Sequence, residues 1–522
     1  MSMISRILNS PRRKELLILA LCLLIGFFLR FYTFDQKSLW MDEVHTFNDS
    51  KDDLKGQLKF YQEDPTYLHP PLFFILTHFF YPFPKPERDL RIIPLVFGIL
   101  SIPMIYYLSK LFSPKIALPC TFSLTFMTYH ISLSQDGRSY TLTFFLGMWA
   151  LYFFIKHLNT AKRHYLLFVA AIEGLLFFTS YTSILFIGLS QILWFYGIQK
   201  GGLRRSLSSC FVLNGLTLLF CIPWFLFILF NYKGQPLVHP FHVEGTGSLL
   251  TIFYLIFNDW TPYLPLMISS FLLMILFPFF SKTKKDALIL FALFILPVSG
   301  LYLFCRVFNI THFISSKYFI NFLPLFLIAL YLSLQSIEVK LHQFTKFIHL
   351  TVIFVVLFVA SNMVMLPLYY RSEKQDFRGL VNYLKSHLQE GDKIYDAEMG
   401  YMPGLLHYFG AYPKGRHQSI PFRVDQEKGV EFRKSFAFQN RPFTLYHSKM
   451  CCAQYVADGN RLWIVAGKEV AKEMKKSSPY VWKAVFDGTV CNFKRFPSDA
   501  SMYLFLCAPS SPEEKGIDMA IE

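Results

Sequence analysis

Long apolar segments recur along the chain up to about residue 367 and are absent beyond it. A helix needs about 20 apolar residues to cross the hydrocarbon core of a bilayer. The segments that approach this length are residues 16–33, 91–111, 116–133, 140–157, 165–181, 183–199, 208–230, 263–281, 287–305, 317–335 and 346–367. The pattern therefore predicts a polytopic α-helical membrane protein with about eleven transmembrane helices.

The residues after Tyr370 have the mixed pattern of a soluble protein. Leu380, Tyr383, Leu384 and Leu388 recur at helical spacing, and the segments 393–395, 461–466 and 501–506 are typical of strands. We predict two domains, a multi-span membrane domain over 1–370 and a small C-terminal soluble α/β domain over 371–522. The second has no glycine-rich phosphate motif, so nucleotide binding is not supported.

Composition agrees with a membrane protein, since 53% of the 522 residues are hydrophobic and only 16% are charged. The net charge of +16 does not indicate nucleic acid binding, because the basic residues are concentrated in alternate loops. The positive-inside rule assigns such loops to the cytoplasmic side. The basic clusters are Arg12-Arg13-Lys14, Lys110 with Lys115, Lys156 with Lys162-Arg163, Lys200 with Arg204-Arg205, Lys282 with Lys284-Lys285, and Lys340 with Lys346.

This topology places the N-terminus in the cytoplasm and the C-terminal domain outside. The apolar segment after Lys14 is longer than the core of a signal peptide and is followed by no small-residue cleavage site, so it is predicted to be a retained first helix. The outer segments are then 34–90, 129–139, 231–262 and 306–316. Within the first of them, Ser50-Lys51-Asp52-Asp53 resembles a capping box that opens an amphipathic helix along the membrane surface.

Four polar clusters fall in or beside these outer segments. Charges at a membrane boundary are costly to bury, and this makes them functional candidates. The clusters are Asp42-Glu43, Leu68-His69-Pro70-Pro71-Leu72, Ser134-Gln135-Asp136-Gly137-Arg138-Ser139-Tyr140, and Ser316-Lys317-Tyr318.

Together the clusters offer one base and several groups that bind anions. An enzyme that transfers a sugar from a lipid phosphate needs a carboxylate to take the acceptor's proton, and cations to stabilise the departing phosphate. Asp42 is the candidate base. Arg138 can offer a planar fork, Lys317 a point charge, and Tyr318 or Tyr140 a hydroxyl group.

The clusters belong to five motifs whose order and placement are also informative. The motifs are Trp40-x-Asp42-Glu43, His69-Pro70-Pro71-Leu72, Glu87-x-x-x-Arg91-x-x-Pro94 followed by Phe97-Gly98, Ser134-Gln135-Asp136-x-Arg138-x-Tyr140, and Lys317-Tyr318 followed by Leu323-Pro324. Because it has these motifs in this order, the chain resembles the bacterial branch of the dolichyl-phosphate-mannose–protein mannosyltransferase family, glycosyltransferase family 39. That family lies in the C-type glycosyltransferase superfamily with the lipid A aminoarabinose transferases.

The resemblance implies a C-type glycosyltransferase fold and an inverting transferase that uses a polyprenyl-phosphate sugar donor. It assigns Asp42 as the catalytic base or its orienting group, with Glu43 in support or positioning the acceptor. It places His69, Arg138 and Tyr318 near the donor phosphate, where Tyr140 and Lys317 are also assigned. Lys317 departs from the family, because many relatives have arginine at this position and arginine grips phosphate in a bidentate way.

The acceptor is left open by the sequence, as lipid A, a membrane glycolipid, a polysaccharide or a protein. No carbohydrate-binding repeat follows the ninth span, unlike in the eukaryotic protein mannosyltransferases, and this argues against a protein. The sugar is also left open, as a hexose or a pentose. We expect a bacterial plasma (inner) membrane protein that acts in cell envelope glycosylation and has membrane lipids, but no nucleic acid, as partners.

Other interpretations of the same residues remain. His69 can be a loop residue beside two prolines, Arg138 can pair with Asp136, and Lys317-Tyr318 can anchor a helix at the interface. Asp42, Glu43 and His69 could share a divalent cation, but their spacing matches no metal motif and no metal is assigned. Asp259 and His312 are predicted to be surface or loop residues, and Arg91 to brace the first outer loop.

Two other functions are alternatives to the enzyme. A transporter or flippase for a lipid-linked or anionic solute would place ionisable residues near the bilayer midplane within repeated halves. Here the charged clusters lie at one face and no repeat is evident, although Glu173 is an intramembrane candidate. A scaffold subunit with an inactive site is the third interpretation, and the presence of Asp42 argues against it.

The cysteines of the C-terminal domain are consistent with two states. Cys491 and Cys507 flank a predicted hairpin, so a disulfide would form in an oxidising compartment, and free, partly buried thiols are the alternative.

Overall fold

The structure is a computed structural model of the whole chain. It describes residues 11–63, 69–231, 248–281, 283–308, 314–341, 349–398, 400–412, 432–447, 461–467, 470–472, 481–489, 502–508 and 517–518. Cys451, Cys452, Cys491 and His312 lie outside these residues, and so does the predicted disulfide.

The chain divides into two compact units. Unit 1 comprises Met1–Phe34, Gln57–Phe79 and Arg91–Pro367, and unit 2 comprises Asp35–Gly56, Phe80–Leu90 and Leu368–Glu522. The boundary near residue 368 falls close to the predicted one at 371. The division differs from the predicted one within segment 34–90, because two pieces of this segment, Asp35–Gly56 and Phe80–Leu90, belong to unit 2 with the C-terminal residues.

Unit 1 is built from α-helices that follow the apolar segments. In chain order its helices are α1 Pro11–Phe31, α3 Leu54–Glu63, α4 Leu72–His78, α6 Ile92–Lys110, α7 Pro114–Phe126, α8 Thr128–Ser134, α9 Tyr140–Thr160, α10 His164–Phe177, α11 Ser183–Ser190, α12 Trp194–Gly201, α13 Leu203–Asn231, α14 Leu249–Trp260, α15 Leu264–Phe280, α16 Lys284–Val307, α17 Leu323–Leu341 and α18 Leu350–Arg371. Two 3₁₀ segments, Gln191–Leu193 and Ser316–Phe322, connect neighbouring helices. The predicted helical membrane protein is confirmed.

The number of membrane spans depends on how broken helices are counted. Among the described residues, six helices are long and apolar enough to cross a membrane, and eight if each bent pair is one span. The predicted number of about eleven stays a prediction. Helix α1 has 21 residues, but its charged first turn and Arg30 leave a shorter apolar stretch than the sequence suggests.

A buried arginine stabilises the first of the two bends. Helices α7 and α8 meet at Met127 with a bend of 59°. A break of this kind leaves backbone carbonyl groups without helical partners. Arg30, fully buried, donates hydrogen bonds to the carbonyl oxygens of Leu124 (2.8 Å) and Thr125 (3.1 Å), and its Nη2 lies 3.0 Å from His130 Nδ1. Arg30 thus provides hydrogen-bond donors for the carbonyl groups at the end of α7, where the span is interrupted.

The second bend involves a helix in a segment that was predicted to be a loop. Residues 231–262 were predicted to form an outer loop, but α14 occupies Leu249–Trp260 and meets α15 at 115°. Ile252, Ile256 and Phe257 are buried at helical spacing, and Ser248 caps the helix by accepting a hydrogen bond from Thr251 N at 3.1 Å. The segment is too short to span a bilayer, and for this reason the spanning-length criterion missed it.

The predicted amphipathic helix of segment 34–90 is present as α3, Leu54–Glu63, and its place along the membrane surface stays a prediction. The predicted capping box is wrong in one respect, because Ser50 is the last residue of the preceding helix, Met41–Ser50. Asp53 opens the helix, since its Oδ1 accepts a hydrogen bond from Gly56 N at 2.8 Å. Tyr61 is fully buried and its ring lies 6.2 Å from that of Trp224 in α13. Its polar partner is Gln57, which donates to the Tyr61 hydroxyl group at 3.1 Å.

Unit 2 is an α/β domain, as predicted. Its helices are α2 Met41–Ser50, α5 Pro86–Asp89, α19 Phe377–His387 and α20 Met402–Phe409. Its described strands are β1 Lys393–Asp396, β2 Phe432–Phe438, β3 Arg441–His447, β4 Leu462–Ala466, β5 Val481–Asp487, β6 Tyr503–Ala508 and β7 Ile517–Asp518, in the sheet order β2-β3-β1-β4-β6-β5-β7. The predicted helix and all three predicted strands are present.

The centre of the sheet is parallel and buried on both faces. Strand β1 pairs in parallel with β3 and β4. Ile394 and Trp463 pack on the face that carries α19 and α20, whereas Tyr395 and Ile464 pack on the other. A parallel strand buried on both faces reads as a continuous apolar run, and β4 has this pattern.

Part of segment 34–90 contributes to this core. Leu39, Val44 and Phe47 are buried in the same apolar cluster as α19 and α20. The Phe47 ring lies 5.1 Å from that of His407 and 6.0 Å from that of Tyr412. Helix α2 is therefore a component of unit 2, although it is far from the other components in sequence.

A buried carboxyl group at the end of β1 makes the stability of unit 2 sensitive to pH. Asp396 is fully buried, and its Oδ1 accepts a hydrogen bond from Glu398 N at 3.1 Å. Burial raises the pKa of Asp396 well above its usual range, and the nearby Glu398 carboxylate acts in the same direction. A raised pKa in the folded state means that the stability contribution is full below about pH 4, the unfolded pKa, and is lost as the pH rises through the folded pKa.

We therefore expect Asp396→Asn to raise the thermal unfolding midpoint of unit 2 at neutral pH, with the gain shrinking towards about pH 4. The measurement is thermal unfolding of the full-length protein in detergent as a function of pH. Asp392→Asn is the matched control, because Asp392 accepts hydrogen bonds from Arg461 and Trp463, both at 2.8 Å, and its loss should lower the midpoint. A lower midpoint for both variants at neutral pH would contradict the expectation.

Candidate active site

The Asp42-Glu43 pair lies in the first turn of α2, in unit 2. The sequence analysis places the pair in the outer segment 34–90, shortly after the first apolar run, and the structure shows it in a helix. Trp40 precedes the helix in an extended conformation, and its backbone N–H donates to Glu43 Oε2 at 3.3 Å. Carboxylates in a first turn are stabilised by the helix dipole. The two acids therefore have fixed positions, and their surroundings differ.

Glu43 is fully buried and forms an ion pair. Its Oε1 lies 3.4 Å from Nζ of Lys374, a residue that is itself buried. The same lysine lies 6.0 Å from the centre of the Trp40 ring, in a cation–π arrangement. Asp42, by contrast, is only half-buried. The geometry thus favours Asp42 over Glu43 as a group that solvent and substrate can reach.

Hydrogen bonds within unit 2 fix the residues around the start of α2. Leu39 N donates to the Tyr408 hydroxyl group at 2.7 Å, and Met41 N donates to Gln375 Oε1 at 3.0 Å. The Tyr408 hydroxyl group in turn donates to Glu87 Oε1 at 3.0 Å. The glutamate of the third sequence motif therefore supports the Asp42 segment through Tyr408. Lys374, Gln375 and Tyr408 were not predicted, since no local pattern marks a long-range partner.

In unit 1, Lys317 and Tyr140 are brought together. Lys317 is buried in the 3₁₀ segment Ser316–Phe322, and its Nζ lies 5.5 Å from the centre of the Tyr140 ring at the start of α9. Tyr318 follows and is half-buried. These residues come from two separate motifs that were both assigned to the donor phosphate. The proximity of Lys317 and Tyr140 places a cation and a phenol group together at the start of α9.

Tyr129, Asp259 and Ser316 form a hydrogen-bonded group beside Lys317. Ser316 Oγ lies 2.5 Å from Asp259 Oδ2 and 3.1 Å from the Tyr129 hydroxyl group, and Ser316 and Tyr129 are buried. Asp259 was predicted to be a surface or loop residue, and this was wrong, because α14 carries it into contact with the Lys317 segment. Asp259 was missed because it lies in a helix that the apolar pattern did not predict.

Arg138 lies in the turn between α8 and α9, two residues before Tyr140. It is half-buried, and its backbone N–H donates to Asp136 O at 2.6 Å. The turn is anchored by Gln135, whose Nε2 donates to the carbonyl oxygens of Arg30 (2.9 Å) and Tyr32 (2.6 Å). Arg138 is thus carried by a fixed turn.

The glycine of the Phe97-Gly98 motif explains how closely this turn approaches α6. A Cβ atom at Gly98 would lie 2.2 Å from Ser134 Oγ, so only glycine fits here without displacing α8. Arg91, at the start of α6, is fully buried and donates to Phe34 O at 3.0 Å. The predicted bracing role of Arg91 is confirmed.

His69 is half-buried and stacks on Phe74, with the ring centres 5.6 Å apart. The segment is fixed to α10 because Leu72 N donates to Phe178 O at 2.9 Å. His69, Arg138, Tyr140, Lys317 and Tyr318 belong to unit 1, whereas Asp42 and Glu43 belong to unit 2. Among the residues that the structure describes, no group of three or more His, Cys, Asp or Glu side chains is placed to hold a metal ion.

Each unit offers a different chemistry: unit 2 has a half-buried carboxylate, Asp42, in the first turn of α2, and unit 1 has the cation Lys317 close to the Tyr140 ring. The carboxylate can accept a proton from an acceptor hydroxyl group. Lys317, Arg138 and the phenol groups of Tyr140 and Tyr318 can stabilise a phosphate.

Comparisons with known proteins found a family model that matches part of the chain and solved structures that are similar to it. Residues 68–227 match the family model for dolichyl-phosphate-mannose-protein mannosyltransferase. The chain is similar to ArnT from Cupriavidus metallidurans bound to undecaprenyl phosphate, with 11% identity, 95% of this chain and 98% of that chain covered and a TM-score of 0.48. The apo state of the same protein gives 10% identity, coverage of 98% and 100%, and a TM-score of 0.48. No curated protein sequence matches the chain. The family match confirms the predicted resemblance and covers the His69 and Arg138 motifs.

Proposed function

We propose that this protein is a membrane glycosyltransferase that moves a sugar from a polyprenyl-phosphate donor to an acceptor on the outer face of the membrane, with inversion at the anomeric carbon. The family whose model matches residues 68–227 takes its name from such a donor, dolichyl-phosphate mannose. The observation that carries the proposal is the proximity of Lys317 and Tyr140, because a cation beside a phenol group could bind a phosphate at the end of helices that would house a lipid chain.

In the proposed reaction Asp42 takes the proton of the acceptor hydroxyl group as its oxygen attacks the anomeric carbon. The bond from that carbon to the phosphate oxygen breaks, and polyprenyl phosphate leaves with both bonding electrons. An anionic leaving group needs positive donors rather than a strong general acid. Lys317 and Arg138 would supply the charge, and Tyr140 and Tyr318 would donate hydrogen bonds.

The different surroundings of the two acids support separate roles. Glu43 is fully buried and its charge is balanced by Lys374, so it would hold α2 in place. Asp42 is half-buried on the same helical turn and would act on the acceptor. His69 would contribute a polar contact near the donor phosphate. Lys317 in place of an arginine would give a single-point contact instead of a bidentate one.

The location is part of the proposal. The distribution of basic loops supports a multi-pass protein of a bacterial plasma (inner) membrane, with a cytoplasmic N-terminus and an extracytoplasmic unit 2. The sugar would be a hexose or a pentose, and the acceptor would be lipid A, a glycolipid, a polysaccharide or a protein.

The test uses the full-length protein in nanodiscs with a panel of radiolabelled polyprenyl-phosphate hexoses and pentoses. We expect release of free polyprenyl phosphate from one donor class, and Lys317→Met should raise the KM for that donor by at least about tenfold, since charged hydrogen bonds contribute about 1.5–3 kcal/mol. Lys284→Met, in a helix-terminal basic cluster of unit 1, is the control for the loss of one positive charge.

Protein-dependent movement of labelled lipid across vesicles, without release from any donor, would overturn the enzyme proposal in favour of the transporter. Release that is unaffected by Lys317→Met would remove Lys317 from the donor site while leaving the reaction in place.

A further inference from the structure

A polar cavity lies at the end of unit 1 opposite to Lys317 and Tyr140. Helix α9 begins at Tyr140 and ends at Thr160, so with 21 residues its two ends are about 30 Å apart. The cavity has a volume of about 360 Å³ and lies at the far end of α9, where α12 gives way to α13. It is distinct from the candidate active site, and no step of the proposed reaction uses it.

The lining of this cavity is suited to an anion. It contains Lys200, Arg205 and the hydrogen-bonding side chains of Asn159, Thr160, Ser206 and Ser209, and it includes no aspartate or glutamate among the residues that the structure describes. Lys200 Nζ is held in place by Asn159 Oδ1 at 2.7 Å. Within the described part of the chain, Arg205 has no ion pair with a carboxylate.

The start of a long helix adds to this electrostatic preference. Helix α13 has 29 residues and begins at Leu203, so its first turn, which contains Arg205 and Ser206, forms part of the cavity wall. Gly202 permits the sharp change of direction from α12, with φ of +81°. The first backbone N–H groups of a helix are not bonded within it and, with the helix dipole, favour a negative charge. Two cations, four polar side chains and a helix terminus therefore surround one space.

A second cavity shows what kind of molecule would carry the anion. This apolar cavity, about 430 Å³, shares Leu158 and Asn159 with the polar one. Its walls include Leu111, Phe112, Ile155, Leu193, Phe277 and Leu290, contributed by several helices. Asp286 and Lys340 also line it, so one charge of each sign is present. A charged cavity that lies next to a mainly apolar one, with Leu158 and Asn159 in the wall of both, is suited to a molecule with an anionic head and a hydrocarbon chain.

We propose that this pair of cavities binds a phosphate-bearing lipid, with the phosphate between Lys200, Arg205 and the start of α13, and an acyl or prenyl chain in the apolar cavity. The end of the bundle concerned carries the basic loops predicted to be cytoplasmic, where anionic headgroups would be reached. The shared chemistry is a phosphate monoester or diester, which can come from a lipid or from free phosphate.

The experiment is native mass spectrometry of the full-length protein in detergent, titrated with dioleoyl phosphatidylglycerol. We expect Arg205→Gln and Lys200→Gln each to weaken binding of this lipid by about tenfold or more, because charge-assisted hydrogen bonds are lost. Arg204→Gln is the matched control, since it removes the same charge one residue earlier from a side chain that is not in the cavity wall. It should leave binding within about twofold of wild type.

Three outcomes would overturn the proposal. Equal losses for Arg204→Gln and Arg205→Gln would indicate general surface attraction of the basic loops. Equal binding of dioleoyl phosphatidylcholine, whose headgroup has no net charge, would indicate a site that binds the hydrocarbon chains of a lipid without regard to its headgroup. Binding of inorganic phosphate with the same dependence on Arg205, and no lipid bound, would identify a free-anion site.

Discussion

Asp42→Asn is expected to lower kcat for sugar transfer by about 10²–10⁴-fold, the usual contribution of a general base. The amide keeps the shape of the carboxylate but cannot accept the proton of the acceptor hydroxyl group. Because donor binding is assigned to Lys317 and Arg138, the KM for the donor should change little. The measurement is steady-state release of polyprenyl phosphate in the presence of the acceptor, for wild type and variant at equal protein concentration.

The controls separate chemistry from folding. Asp35 is an exposed aspartate of the same segment, and Asp35→Asn should retain wild-type kcat and KM. Asp42→Glu restores a carboxylate at a displaced position, so a partial recovery of kcat is expected. If Asp42→Asn instead raises the KM for the donor and leaves kcat unchanged, Asp42 would be a donor-binding residue and another group would have to be the base.

The apolar pattern predicted the long helices of unit 1 because a helix that spans a membrane must have a minimum apolar length. Predicted and observed bounds agree closely for α6, at 91–111 against Ile92–Lys110, and for α15, at 263–281 against Leu264–Phe280. The same criterion missed α14, which is apolar and buried but only 12 residues long. It placed Arg30 inside the first predicted span, 16–33, but gave no indication that this arginine donates a hydrogen bond to Leu124 O near the end of α7.

The sequence predicted which residues are candidates for the site, but only some of the contacts between them. Local chemistry marked Asp42, Arg138 and Lys317, since charges at a membrane boundary are costly to bury. The partners of these residues are distant in sequence, and a single sequence contains no signal for such pairs. The buried partner of Glu43 is in the chain after α18, and Asp259 reaches Ser316 only because of an unpredicted helix.

Lys374→Met is expected to lower the free energy of unfolding of unit 2 by about 3–5 kcal/mol, because it leaves the Glu43 carboxylate buried without its counter-charge. The pair is formed at 3.4 Å, Glu43 is fully buried and the Lys374 side chain is only 11% exposed. The measurement is denaturant unfolding of the full-length protein in detergent, followed by the fluorescence of the tryptophans in unit 2.

The comparison that isolates the buried charge is Arg88→Met. Arg88 pairs with Asp89 at 2.7 Å, but its side chain is 40% exposed, and breaking such a pair should cost no more than about 1 kcal/mol. Similar losses for the two variants would contradict the expectation and would indicate that Glu43 finds a new partner or becomes protonated.

The double variant Glu43→Gln/Lys374→Met connects the ion pair to the active site. Removing both charges removes the uncompensated carboxylate, so most of the lost stability should return. The glutamine can still accept the hydrogen bond from Trp40 N, which keeps the first turn of α2 closed. If Glu43 only positions Asp42, the double variant should retain kcat within about tenfold of wild type, whereas a reacting carboxylate at Glu43 would lose activity as fully as Asp42→Asn. The combined stability and kcat measurements therefore distinguish a supporting acid from a catalytic one on the same helical turn.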